Sequence, residues 1–130
     1  MSKKAISGCG IMNLTKPQEA IWDMERFSGG SVSVICTSML RKGKQNISML
    51  QNTVNKLFFY NDALRTRLHI ENSDVTQYFA EYTEQYFDVL DFSSQDDFNK
   101  YAEKYSHTPI DLSGPLCDIK IIILPEKYGL

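Results

Sequence analysis

The sequence predicts an α/β fold of the α+β kind, with helices packed on a mixed sheet, and three observations carry that prediction. Apolar residues repeat at helical spacing in three windows, β-branched or alternating runs stand between them, and capping and turn residues punctuate the joins. The resulting order is helix, strand, helix, strand, strand, strand, helix, strand. No internal repeat or low-complexity tract interrupts it.

Residues 1–13 carry glycines without a period and are expected to form a flexible tail or an opening strand. Order is expected from Leu14. Thr15-Lys16-Pro17-Gln18 has the form of a capping box, in which Thr15 accepts from a first-turn amide and Gln18 reaches back. Pro17 stands in the first turn, where a missing N–H costs little. Ala20, Ile21, Met24 and Phe27 then fall on one face of a short helix that Ser28-Gly29-Gly30 ends, with Trp22 beside that face.

Val32 to Arg41 mixes apolar and β-branched residues on both faces, which predicts a strand covered on both sides. Lys42-Gly43-Lys44 turns the chain. With Asn46 as N-cap, Ile47, Leu50, Val54, Leu57 and Phe58 mark the clearest amphipathic helix in the sequence. Leu64, Thr66, Leu68 and Ile70 alternate with Arg65, Arg67 and His69, predicting a strand with one polar face. Asn72-Ser73-Asp74 turns it into a hairpin with Val75 to Ala80, and a further strand is expected near Phe87 to Phe92.

Ser93 or Ser94 caps a third helix with Asp96 and Asp97 in its first turn and Lys100, Lys104 and His107 toward its end, an order that complements the helix dipole. Phe98, Tyr101, Ala102 and Tyr105 form its buried stripe, and Pro109 bars continuation. Asp111-Leu112-Ser113-Gly114-Pro115 is a loop. Leu116 to Leu124 is read as a strand, and because Ile121 to Leu124 leave no polar side it is expected to be central, with cover on both faces.

Composition narrows the function. The chain has 130 residues, 42% hydrophobic and 23% charged, which suits a globular domain or part of one. Its net charge is −2, and its lysines and arginines are scattered between acids instead of gathered into a stripe, so a nucleic-acid partner is not expected. No apolar run approaches the length of a membrane span and no signal peptide is recognisable, so the expectation is no membrane partner and a cytoplasmic location. Cys9, Cys36 and Cys117 are odd in number and widely spaced, and read as reduced thiols.

Few residues have the spacing of catalytic groups. Asp96 and Asp97 are adjacent, so a helix points them apart. His69 and His107 lack metal-ligand spacing, and no nucleophile elbow, phosphate loop or dinucleotide loop occurs. Arg65, Arg67 and His69 share a predicted strand face, which is either a solvated surface or the seat of one buried arginine holding a carboxylate through two parallel bonds. The residues do not identify that carboxylate.

Three stretches then match a known pattern. Leu14-Thr15-x-x-Gln18-x-x-Ile21-Trp22, Asn61-Asp62-Ala63-Leu64-Arg65-Thr66-Arg67-Leu68 and Ile110-Asp111-Leu112-Ser113-Gly114-Pro115-Leu116 stand in the order found in nonribosomal peptide synthetase condensation domains, which the chain resembles. The second is similar to the family's RHExLRTxF motif, although Asn61 and Asp62 replace His-Glu. The resemblance implies that residues 14–130 form part of the amino-terminal, chloramphenicol-acetyltransferase-like lobe. In the complete domain two lobes flank a tunnel, carrier proteins deliver acyl groups on phosphopantetheine arms, and an acceptor amine attacks the donor thioester. The family's catalytic motif is HHxxxDG, and the arginine matching Arg65 pairs with its aspartate.

HHxxxDG is absent here. The expectation is therefore a chain without catalytic residues, inactive alone, in which Arg65 is site-organising and no cofactor or metal is bound. The complete domain would be an enzyme. Its partners would be carrier proteins and the remaining synthetase domains. The apolar strand from Leu116 to Leu124, short of neighbours, would favour self-association through its edge. If Met1 is the native start, thirteen residues before Leu14 leave no room for an upstream carrier domain, and the donor arrives in trans or as a CoA thioester. A stand-alone binding module derived from the lobe, contacting a carrier protein, is the alternative, and a relative of CoA-dependent acyltransferases is a third.

Overall fold

Helices form where the capping chemistry places them. A computed structural model describes residues 10–29 and 32–125. Helix α1 spans Lys16–Ser28, with Gln18 Oε1 accepting from the Thr15 N–H at 2.8 Å and from its hydroxyl at 2.9 Å. Gly29, at φ 67°, ends it in the left-handed conformation that glycine adopts without a Cβ penalty. Helix α2 spans Ile47–Tyr60, and Asn46 Oδ1 accepts from the Met49 N–H at 3.0 Å. Helix α3 spans Gln95–Ser106 and is capped by Ser94, whose Oγ accepts from the Asp97 N–H at 3.1 Å.

The strands divide into two small sheets. Strands β1 (Met12–Asn13), β2 (Thr66–Glu71) and β3 (Asp74–Phe79) form an antiparallel sheet in the order β1-β3-β2. The β2–β3 register runs from Thr66 opposite Phe79 to Glu71 opposite Asp74. That leaves Asn72 and Ser73 as a two-residue turn, with Asn72 at φ 57°, a conformation asparagine tolerates better than most residues. Strands β4 (Val89–Asp91) and β5 (Ile121–Ile123) pair in parallel, and α3 lies in the connection that a parallel pair requires.

The core is small and sits between α2 and the second sheet. Phe58, 2% exposed, meets Phe87 at 5.7 Å between ring centroids and is packed with Ile121. Ile47, Leu50, Val54, Leu64 and Tyr82 surround them. Full burial of a phenylalanine contributes about 2–3 kcal/mol, so this cluster is a main hydrophobic anchor of the described residues. A second aromatic cluster joins Phe92 to Phe98 and Tyr101 on α3, with Tyr101 stacked on Tyr105 at 5.6 Å.

Four expectations change. Residues 32–41 form no strand, and no described strand offers them a ladder. The apolar face of α1 is uncovered, with Ile21, Met24 and Phe27 all exposed. Strand β2 begins at Thr66 because Asp62–Arg65 close into a 3-10 turn, which takes Arg65 off the face that Arg67 and His69 share. The Leu116–Leu124 strand shortens to Ile121–Ile123 and has β4 as its only neighbour among the described residues. Its burial then declines from Ile121 to the exposed Ile123. An all-apolar sequence supplies strand propensity, but without a second neighbour it does not make a central strand. Residues 1–9 of the expected tail lie outside the described residues, whereas Met12 and Asn13 realise the opening strand as β1.

Candidate functional site: the Arg65 knot

Arg65 is held at the junction of a helix end, a tight turn and a sheet edge. Helix α2 leaves its last carbonyls without intrahelical partners, and the negative end of its dipole faces the chain reversal at Asn61. Asn61 takes up Leu57 O through its backbone N–H at 3.0 Å and its side-chain amide at 2.8 Å. The Arg65 guanidinium takes up the next two. Its Nη1 donates to Phe59 O at 3.0 Å and to Phe58 O, Nη2 donates to the Asp62 carboxylate, and Nε donates to Ala80 O at 2.9 Å.

Among the described residues these bonds account for four of the five N–H groups a guanidinium carries, leaving one on Nη2. The Arg65 carbonyl in turn accepts from the Ala80 N–H at 2.9 Å, so the two residues extend the β2–β3 ladder beyond the last paired strand residues. The Arg65 side chain is 13% exposed while Asp62 stays largely in solvent. The cation is thus fixed by carbonyls more than by its counter-ion. Arg67 and His69 do not share this site: Arg67 Nη1 donates to Thr66 O at 2.9 Å, and His69 Nε2 lies 3.7 Å from Glu71 Oε2 at the exposed hairpin end.

A second device positions the chain that leaves Ala80. Gln51 and Asn55, one turn apart on α2, each grip both the N–H and the C=O of a single residue. Gln51 Nε2 donates to Phe87 O at 2.7 Å while its Oε1 accepts from the Phe87 N–H at 3.0 Å. Asn55 Nδ2 donates to Gln85 O at 2.8 Å while its Oδ1 accepts from the Gln85 N–H at 2.9 Å. Two side-chain amides thereby replace a neighbouring strand. The clamp keeps Phe87 on Phe58 and delivers the backbone into β4.

A third cluster ties α3 to both parallel strands. Lys120 Nζ lies 2.6 Å from Asp88 and 3.2 Å from Asp118, and the Tyr105 hydroxyl donates to Asp118 at 2.7 Å. Burial pushes the Asp118 carboxyl up, but the hydrogen bonds from Tyr105 and Lys120 outweigh it and hold the group below the usual carboxylate range. Burial first, then the bond to Asp118, raises the Tyr105 phenol. Burial also raises the Cys117 thiol, with Arg67 opposing, which keeps that sulfur poorly nucleophilic. Asp111 accepts from the Ser113 hydroxyl at 2.7 Å and its N–H at 2.9 Å, closing the loop ahead of β5.

Sequence reasoning singled out Arg65 but missed Asp62, Gln51 and Asn55. Asp62 stands three residues before Arg65, within one turn, and was visible only as a departure from a motif. Gln51 and Asn55 interrupt the stripe of Ile47, Leu50, Val54 and Phe58 on α2, and polar residues on an apolar helix face were the available signal. Among the described residues no cluster of three or more His, Cys, Asp or Glu is placed to hold a metal, and no helix is long and apolar enough to cross a membrane.

Comparison with known proteins bears on the whole arrangement. The family model "Condensation domain" matches residues 9–128. No curated protein sequence matches the chain. The fold is similar to the starter condensation domain of the rhizomide synthetase RzmA, with TM-score 0.61 and 20% identity over 82% of this chain and 28% of that one. A doubly substituted form of that domain in complex with C8-CoA and Leu-SNAC gives TM-score 0.65 and 16% identity over 82% of this chain and 26% of the other. A second substituted form gives TM-score 0.65 over 87% of this chain and 29% of its own. The chain therefore spans little more than a quarter of the solved domains it matches. With the family model covering nearly all of its sequence, the chain belongs to the condensation domain family.

Proposed function

We propose that this chain is the amino-terminal scaffold of a nonribosomal peptide synthetase condensation domain, whose complete form joins carrier-bound acyl and aminoacyl thioesters through a peptide bond. The chain supplies no catalytic group. Arg65 is its site-organising residue, and the carrying observation is the knot itself. A guanidinium bonded to Phe58, Phe59 and Ala80 carbonyls and to Asp62 is fixed in place, with one Nη2 N–H that no described residue takes up and that suits a further acceptor such as the family's motif aspartate. The arginine is suited to orientation and unsuited to proton transfer, because a guanidinium does not give up its proton in proteins.

The acyl groups would arrive on the phosphopantetheine arms of carrier proteins, so the chain needs no cofactor of its own. The test is an assay of the purified 130-residue chain with a thioester-loaded donor carrier and an aminoacyl-loaded acceptor carrier, read by intact-protein mass spectrometry. The expected result is no amide product above the rate without the chain. Amide formation that depends on the chain would overturn the reading.

A further inference from the structure

Seven asparagines occur in the chain, and only Asn72 is followed by a residue as small as serine, which leaves the next backbone nitrogen sterically open. Leucine, isoleucine, threonine, lysine or aspartate follows the others. The structure separates Asn72 further. The amides after Asn52, Asn55 and Asn99 lie inside α2 and α3, where a helical backbone cannot turn them toward the preceding side chain. The carboxamides of Asn46, Asn55, Asn61 and Asn99 are held in hydrogen bonds, and Asn13 lies in β1 ahead of the buried Leu14. Asn72 and Ser73 stand exposed in the two-residue turn of the β2–β3 hairpin, where among the described residues neither the Asn72 carboxamide nor the Ser73 N–H has a hydrogen-bond partner. Asn72 is also the only non-glycine residue at positive φ among them, a conformation that costs backbone energy.

We propose that Asn72 is a modification site, at which the chain converts its own side chain to aspartate or isoaspartate without an enzyme. The Ser73 backbone nitrogen gives its proton to solvent and attacks Asn72 Cγ. The Cγ–Nδ2 bond breaks, Nδ2 takes a proton from water and leaves as ammonia, and a five-membered succinimide closes. Water then opens the ring: attack at Cγ leaves an aspartate, and attack at the main-chain carbon leaves the chain running through the side chain, one methylene longer. Nothing is oxidised or reduced, and water is the only co-reactant. The hairpin gives the reaction its consequence. Its register sets Glu71 directly opposite Asp74, so either product adds a third carboxylate beside two that already repel. Isoaspartate also lengthens a turn whose length fixes that register.

Both reacting groups belong to adjacent residues, so the site is complete within the turn, and the inference stands apart from condensation chemistry. The test incubates the intact chain in mildly alkaline buffer at physiological temperature and follows every asparagine by peptide mapping and mass spectrometry. The expected result is a gain of about 1 Da at position 72, several-fold faster than at any other asparagine, with isoaspartate among the products. The converted chain is expected to lose amide protection in β2 and β3 while α2 keeps its own. Asn72→Gly suits the positive φ and has no carboxamide, so it keeps hairpin protection through the same incubation. An Asn72 that stays intact or is outpaced by another asparagine, aspartate formed without isoaspartate, or hairpin protection that is unmoved by conversion or lost equally in Asn72→Gly would overturn the proposal.

Discussion

Residues 85–87 and residues 34–40 face the same physical problem and meet different fates. Both run outside any ladder, and both contain strand-forming side chains. The first segment receives two bidentate amides from Gln51 and Asn55, and Phe87 goes into the core. The second is preceded by the Glu25 contacts at Val32 and Ser33, and among the described residues its own backbone makes no hydrogen bond. Strand propensity is a preference for a pleated, half-buried surface, and it becomes order only where something supplies the hydrogen bonds.

Arg65 extends the lesson, because it supplies donors to carbonyls that a helix end leaves over. The largest expected effect is therefore at this residue. Arg65→Ala strands the carbonyls of Phe58, Phe59 and Ala80 and is expected to cost about 3–4 kcal/mol, enough to unfold a marginal chain. Arg65→Lys keeps the charge and loses the fork, at about 2 kcal/mol. Urea titration followed by circular dichroism measures both, and a loss below 1 kcal/mol for alanine would break the comparison.

The clamp comes next. Asn55→Asp keeps the shape but turns a donor toward Gln85 O into a buried acceptor, and about 2–3 kcal/mol of destabilisation is expected. Gln51→Leu removes both bonds to Phe87 at similar volume, at about 1–2 kcal/mol. If either variant is as stable as the parent, the amides are not what orders residues 85–87.

A smaller effect appears in acid. Asp118 has a folded pKa below its unfolded value near 3.9, so its contribution is fully present above pH of about 4 and is lost as pH falls through the folded value. Asp118→Asn should flatten the acid limb of the stability curve while leaving its slope near neutrality unchanged. The smallest effect is at the open segment. Ile35→Lys is expected to change stability by less than about 0.5 kcal/mol, measured by the same urea titration.

Local chemistry was legible in the sequence. Thr15 and Gln18, Asn46, and Ser94 with Asp97 act as read, and the Asn72-Ser73 reversal falls where the turn residues put it, because each depends on neighbours within one turn. What depended on distant partners was not legible. The apolar stripe on α1, the segment at 32–41 and the strand before Leu124 all carry apolar patterns whose cover lies elsewhere, and a pattern records the wish for a partner without naming one. Arg65 stood out as a candidate clamp, yet its carbonyl partners belong to backbone that any sequence possesses. Its turn was misread as strand because Leu64, Thr66 and Leu68 alternate across the boundary.

The most direct test of this account is residue-resolved amide hydrogen exchange on the intact chain in dilute solution. Protection at Gln85 and Phe87 well above that at Ile35 to Met39 is predicted, since the first pair donate to Asn55 and Gln51 and the others donate to nothing among the described residues. Equal protection in the two segments, or faster exchange at Gln85 and Phe87, would contradict it.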